Sequence, residues 1–117
     1  MTELITFLST GKGTWTEVIK LMSSYDWEKI IVITNQFGKE NFKAKENMEV
    51  IVVNFDDTIE NLIESLKKNL KDKITGTEVA LNFISGQGKE HMALLSAVLK
   101  LGLGIRLVVF TNQVKEI

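Results

Sequence analysis

Two short runs of β-branched residues, Ile30-Ile31-Val32-Ile33-Thr34 and Val50-Ile51-Val52-Val53, show no alternation of polar and apolar positions. A strand with one wet face alternates. An unbroken apolar run belongs to a strand buried on both faces, the habit of a parallel sheet covered by helices. Parallel neighbours cannot be joined by a tight turn, so the segments between them must be crossovers, usually helical. The chain alternates accordingly. Residues 4–8 read as a first strand, followed by the turn Ser9-Thr10-Gly11-Lys12-Gly13. Trp15, Val18, Ile19 and Met22 then recur at helical spacing, with Thr14 and Glu17 placed as a capping box. After the second strand, Asn35-Gln36-Phe37-Gly38 reads as a loop. The polar residues 39–47 read as a short exposed helix whose one large apolar residue is Phe42. Asp57 and Glu60 have capping-box spacing, and Ile59, Leu62, Ile63, Leu66 and Leu70 make one apolar stripe. Lys67, Lys68, Lys71 and Lys73 crowd the end of that helix, where its dipole favours cations. Residues 79–84 read as a fourth strand and Ser85-Gly86-Gln87-Gly88 as a turn. The helix over 89–101 is apolar on nearly every face, which predicts packing on the sheet and against a partner. Gly102 and Gly104 end it. Residues 105–110 read as the last strand and 111–117 as a short tail.

This order predicts an α/β fold: a Rossmann-like three-layer sandwich with a mainly parallel five-stranded sheet and right-handed crossovers. Residues 1–117 are read as a single domain, a size at which one modest core is expected and dimerisation would enlarge it. The hydrophobic fraction of 44% and charged fraction of 25% are those of an ordinary globular chain, which argues against disorder. Cysteine is absent, which removes disulfides, thiolate chemistry and cysteine zinc sites. A single histidine falls short of the usual multi-histidine metal site, so neither metal nor cofactor is expected. A net charge of -1 gives no global basic field, so duplex nucleic acid is not the expected partner. No apolar run approaches the ~20 residues of a membrane span, and Met1-Thr2-Glu3 lacks the basic start of a signal peptide. A cytoplasmic protein without membrane contact is expected.

Open parallel sheets bind ligands beyond the carboxyl ends of their strands, where strand order reverses. That rule brings together the loops 9–14, 35–38 and 85–91. Two of them carry glycine and open a helix, whose free N–H groups and positive dipole end suit phosphate. Lys12 and Lys89 add full charges. The candidate ligand-binding residues are therefore Ser9, Thr10, Gly11, Lys12, Gly13, Asn35, Gln36, Phe37, Ser85, Gly86, Gln87, Gly88 and Lys89, with Phe37 as a stacking surface. Either loop alone is as readily a plain turn; two on one edge favour a ligand site. The P-loop pattern fails because Gly13 follows Gly11-Lys12 where a hydroxyl residue is required. The dinucleotide fingerprint fails as well, with Thr16 or His91 at its third glycine. His91, a lone histidine, is by default a surface or packing residue, with general-acid chemistry as the sharper alternative.

The segment Asn82-Phe83-Ile84-Ser85-Gly86-Gln87-Gly88-Lys89-Glu90-His91-Met92-Ala93-Leu94 resembles the fourth-strand motif of CARF domains, the CRISPR-associated Rossmann fold. In that family a strand runs into Thr/Ser-Gly-Gly-Thr-Lys-x-x-Met and an Ala/Leu-rich helix. Ser9-Thr10-Gly11 is similar to the family's first-strand loop, and the element order matches over nearly the whole chain. Gln87 and Gly88 depart from the pattern, standing where the family often has glycine and threonine, and the second helix is much shortened. The resemblance implies a homodimer that binds cyclic oligoadenylate, as the cyclic tetra- or hexa-adenylate, across its two-fold during type III CRISPR antiviral defence. A ring of identical nucleotides can share that axis. Some members are metal-independent ring nucleases that direct a ribose 2′-OH onto the adjacent phosphate. By that analogy Lys89 is the candidate stabiliser of the transition state and Ser9 or Thr10 a residue orienting the ribose. His91 is the candidate proton donor, a role the motif itself does not carry. No effector motif such as the HEPN Arg-x4-6-His is found in the chain, so a stand-alone sensor, sponge or ring nuclease is expected. The alternatives are a Rossmann-like regulatory module for another phosphorylated nucleotide, and an oligomerisation partner whose loops are turns only.

Overall fold

A computed structural model describes residues 2–9 and 12–117. Its strands are β1 (Glu3–Leu8), β2 (Lys29–Thr34), β3 (Met48–Val52), β4 (Glu78–Asn82), β5 (Gly104–Phe110) and β6 (Val114–Glu116). The helices are α1 (Trp15–Ser23), α2 (Gln36–Asn41), α3 (Ile59–Leu70) and α4 (Gly88–Lys100), and a 3-10 turn, Lys12–Thr14, leads into α1. The sheet order is β3-β2-β1-β4-β5-β6. The first five strands in that order are parallel; β6 returns antiparallel along β5.

Alternate residues of each strand serve opposite faces, and both faces are covered. Ile5, Phe7, Ile31, Ile33, Val79 and Leu81 pack with Leu62, Leu66 and Leu70 of α3 and with Ala93, Leu94, Ala97 and Val98 of α4. Leu4, Leu8, Ile30, Val32, Ala80 and Val108 pack with Trp15, Val18, Leu21 and Met22 of α1. This two-sided burial is the cause of the unbroken run in β2; in β3, at the sheet edge, Ile51 is buried but Val52 is 39% exposed, so the expected burial on both faces holds there only in part. Glu3, buried at the amino end of β1, accepts hydrogen bonds from the amides of Thr75 and Gly76 and so ties down the loop before β4. Among the described residues no helix is long and apolar enough to cross a membrane.

Several local expectations are corrected. The sheet has six strands, not five. The expected tail makes a hairpin, closed by Thr111 N donating to Gln113 O and anchored by Val114 against the α1-side core. Thr14 makes no capping hydrogen bond; the start of α1 is held instead by Trp15, whose Nε1 donates to Ser9 O at 3.0 Å. Thr58, not Asp57, caps α3, accepting from Asn61 N at 3.1 Å. The short helix lies at 36–41, earlier than expected, because Asn35 caps it by accepting from Gly38 N. Beyond it Phe42 is extended. β4 stops at Asn82, whose side chain leaves the ladder to donate to Val108 O and accept from Ile84 N. The outer face of α4 is bare: Met92, Leu95 and Leu99 are 64%, 36% and 59% exposed.

Candidate functional site

Strand order reverses beside β1. From it the chain runs to β2 and β3 on one side, and to β4 and β5 on the other. The loops leaving β1 and β4 therefore diverge, and a crevice opens above them. It has a volume of about 500 Å³, within the range of small-molecule sites, and is lined by Ser9, Thr14, Phe55, Asp56, Ile84, Gly86, Gln87, Lys89 and Glu90.

The floor of this crevice is tightly specified. Ser85 is 1% exposed, and its hydroxyl accepts from Ser9 N at 2.8 Å, joining the two loops across the switch point. The Ser85 carbonyl lies 2.8 Å from His91 Nε2, which donates to it. The His91 ring stacks on Phe83 at 4.8 Å between centroids and contacts Phe7 at 5.5 Å. Gly86 turns with φ +95, a left-handed conformation that favours glycine, and a Cβ there would approach His91 Nε2 to 3.1 Å. The expected packing role of His91 is thus what its contacts describe. Its ring is turned inward beneath the loop and holds the turn from below.

Charge enters from two loops. Lys89, in the first turn of α4, donates from Nζ to the backbone carbonyl of Asp57 at 2.8 Å, bridging to the loop between β3 and α3. Glu90 is buried, and its carboxylate accepts from Gln87 N at 3.1 Å, so one of the amides at the start of α4 is already satisfied. The Asp57 carboxyl is held below its ordinary value of 3.8. The hydrogen bond from Asn61 is the largest cause, then the Thr58 amide; desolvation opposes them, and the charge of Lys89 adds the least of the lowering. A carboxyl lowered in the folded state contributes stability above its unfolded pKa and loses it as pH falls through the folded one. The Asp57 side-chain carboxyl resonance should accordingly titrate below 3.8. In Lys89→Ala its midpoint should rise. A midpoint at or above the ordinary value in the native chain would contradict the hydrogen-bonded geometry.

Of the sequence-predicted residues, Ser9, Gly86, Gln87 and Lys89 come together in the lining, with Ser85 directly beneath. Gly88 starts α4 with open space where a Cβ would stand, and Gly13 is equally open. Thr10, Gly11 and the Lys12 side chain lie outside the described residues. The loop after β2 is not part of the crevice lining. Asn35 caps α2, Gln36 donates to Glu40, and Phe37 meets Trp15 edge-on at 6.3 Å. Sequence reasoning placed the loops of Thr14 and Glu90 at the site without singling those residues out, and it missed Phe55, Asp56 and Ile84. The signal for Phe55 and Asp56 was available: α3 and α4 share one face of the sheet, so the loop entering α3 must approach the start of α4.

A second cavity, about 200 Å³, lies over β4 to β6 near Tyr25 and Trp27. Its one cation, Arg106, is already paired with Glu116 at 2.6 Å and Glu78 at 3.3 Å. Among the described residues no group of three or more His, Asp or Glu side chains comes together to hold a metal ion. The search of protein-family models and the search of curated proteins both return no match for this chain.

Proposed function

We propose that this chain is a CARF-like domain of Rossmann-like, three-layer type that binds cyclic oligoadenylate across a homodimer two-fold. The observation that carries the reading is the crevice at the switch point. There the two loops of the motif resemblance, one beginning at Ser9 and the other running from Ser85 to Lys89, are hydrogen-bonded together beside the start of α4. Lys89 and the first turn of α4 supply the positive end for phosphate. The bare stripe Met92, Leu95 and Leu99 supports dimerisation. Its 3-4 spacing is that of a two-helix seam, and the proposed arrangement is the parallel one. A two-fold running along α4 would keep both helix starts, and hence both crevices, at the same end of the dimer.

Ring cleavage is the enzymatic form of the same reading. The test is incubation of the protein with cyclic tetra- and hexa-adenylate in EDTA, followed by chromatography. Intact ring carried by the protein marks a sensor or sponge; linear fragments ending in 2′,3′-cyclic phosphate mark a metal-independent nuclease. Lys89→Ala should weaken binding roughly ten- to a hundredfold, the worth of one charge-assisted hydrogen bond. Failure of both rings to bind overturns the reading. It would leave a Rossmann-like module for another phosphorylated nucleotide, or an oligomerisation partner.

A further inference from the structure

A purely phosphate-binding crevice would gain nothing from a carboxylate, yet this one has Asp56 in its lining next to Phe55. The two residues sit in the loop between β3 and α3, which Lys89 reaches through the Asp57 carbonyl. Asp56 is exposed and donates its backbone amide to Asn54 Oδ1 at 3.0 Å, which fixes the loop without using the carboxylate. That carboxylate makes no hydrogen bond or ion pair with the described residues. It differs in this from Glu90, which is engaged at the start of α4, and from Asp57, which is engaged with Thr58 and Asn61. Phe55 is half-buried, its ring 6.4 Å from Phe7. The loop therefore presents to one crevice an anchored aromatic ring and an unengaged acceptor, while Lys89 and the start of α4 bring positive charge to the same space.

A phosphate is repelled by Asp56. A ribose hydroxyl is the donor that would compensate, because an ionised carboxylate is acceptor-only and forms its strongest bonds with O–H and N–H groups. We infer that Phe55 and Asp56 form a nucleoside subsite in which Asp56 accepts a hydrogen bond from a ribose 2′-hydroxyl, so that the crevice selects ribonucleotides over deoxyribonucleotides. The inference rests on the proposed function, since it takes the ligand's phosphate to lie by Lys89. It adds what that reading lacks: a reason for an acid in the site and a rule for sugar selectivity.

The experiment compares the binding of cyclic tetra- and hexa-adenylate with that of their all-2′-deoxy counterparts, in the native chain and in Asp56→Asn and Asp56→Ala. Native protein should prefer the ribose ring by about tenfold or more, as the loss of a hydrogen bond to a charged group implies. Asp56→Ala should lower affinity for the ribose ring by a similar factor and leave the deoxy ring unchanged or bound more tightly. Asp56→Asn, which keeps a neutral acceptor, should fall between. Equal affinity for the two sugars in the native chain overturns the subsite while the function stands. So does a preference that survives in Asp56→Ala. Absence of binding by every ring overturns the function itself, and the subsite with it. Circular dichroism should show both variants folded, since the carboxylate makes no hydrogen bond or ion pair with the described residues.

Discussion

Gly38→Ala should destabilise the folded chain by about 2–3 kcal/mol, although alanine is ordinarily the better helix residue by roughly 1 kcal/mol. The reason is a close approach of α2 to β2. A Cβ on Gly38 would lie 1.7 Å from Thr34 Oγ1 and 2.9 Å from Thr34 Cβ. Thr34 cannot step aside: it is fully buried, and its hydroxyl donates to Leu8 O at 2.7 Å. The helix must move instead. It is only six residues long and depends on Asn35 for its cap. Its Phe37 rests on Trp15, and Trp15 Nε1 holds the carbonyl of Ser9 at the crevice, so the damage should reach the site. Urea melts of Gly38→Ala in the native and Thr34→Ala backgrounds check the argument. The penalty should shrink in the second background, where the nearest clashing atom is gone. An equal penalty in both would place the cost somewhere other than this contact.

How far this arrangement is legible in the sequence depends on the range of the interactions involved. The non-alternating run in β2 and the stripe of α3 follow from burial, which is a periodic signal, and the elements lie within a few residues of where they were expected; Val52 of the β3 run and Ile19 of the α1 stripe are exposed instead, with Leu21 buried in the place of Ile19. The loops after β1 and β4 were legible because a topological rule brings strand ends together whatever the side chains are. The same rule also drew in Asn35, Gln36 and Phe37, and there it overreached. Local capping and the contact with Trp15 engage that loop. Capping differs at two helices: Thr14 stands at the N-cap of α1 as expected but makes no side-chain cap bond, and at α3 the cap falls one residue later than Asp57, on Thr58, which accepts from Asn61 N. β6 was missed because three residues carry too little pattern to register; its pairing with β5 exists only once the hairpin has closed. Apolar content predicts that α4 packs on the sheet and against a partner. The helix is divided, with Ala93, Leu94, Ala97 and Val98 inward and Met92, Leu95 and Leu99 exposed in the single chain. A sequence cannot tell an interior contact from an interface with another copy.

That outward stripe gives the other large expected effect. On the proposed function, Leu99→Asp should convert a dimer to a monomer and reduce ring affinity by about a hundredfold or more, because each copy would keep half of a two-sided site. Leu99 is the seam residue furthest from the crevice and is 59% exposed in the single chain, so the change spares both the monomer core and the lining. In a parallel seam it would face its own copy, placing two carboxylates together in an apolar contact, and an unpaired buried charge costs about 3–5 kcal/mol. Sedimentation of the native and variant proteins at matched concentrations reads the first effect; titration with cyclic tetra-adenylate reads the second. A variant that is monomeric yet binds the ring at native strength would show the site to be complete within one chain. The cyclic ligand would then lose its symmetry argument, and a mononucleotide held in the crevice of a single copy would become the better account. A native chain that sediments as a monomer at micromolar concentration would lead to the same conclusion. The α4 stripe would then be an exposed face without a part in binding.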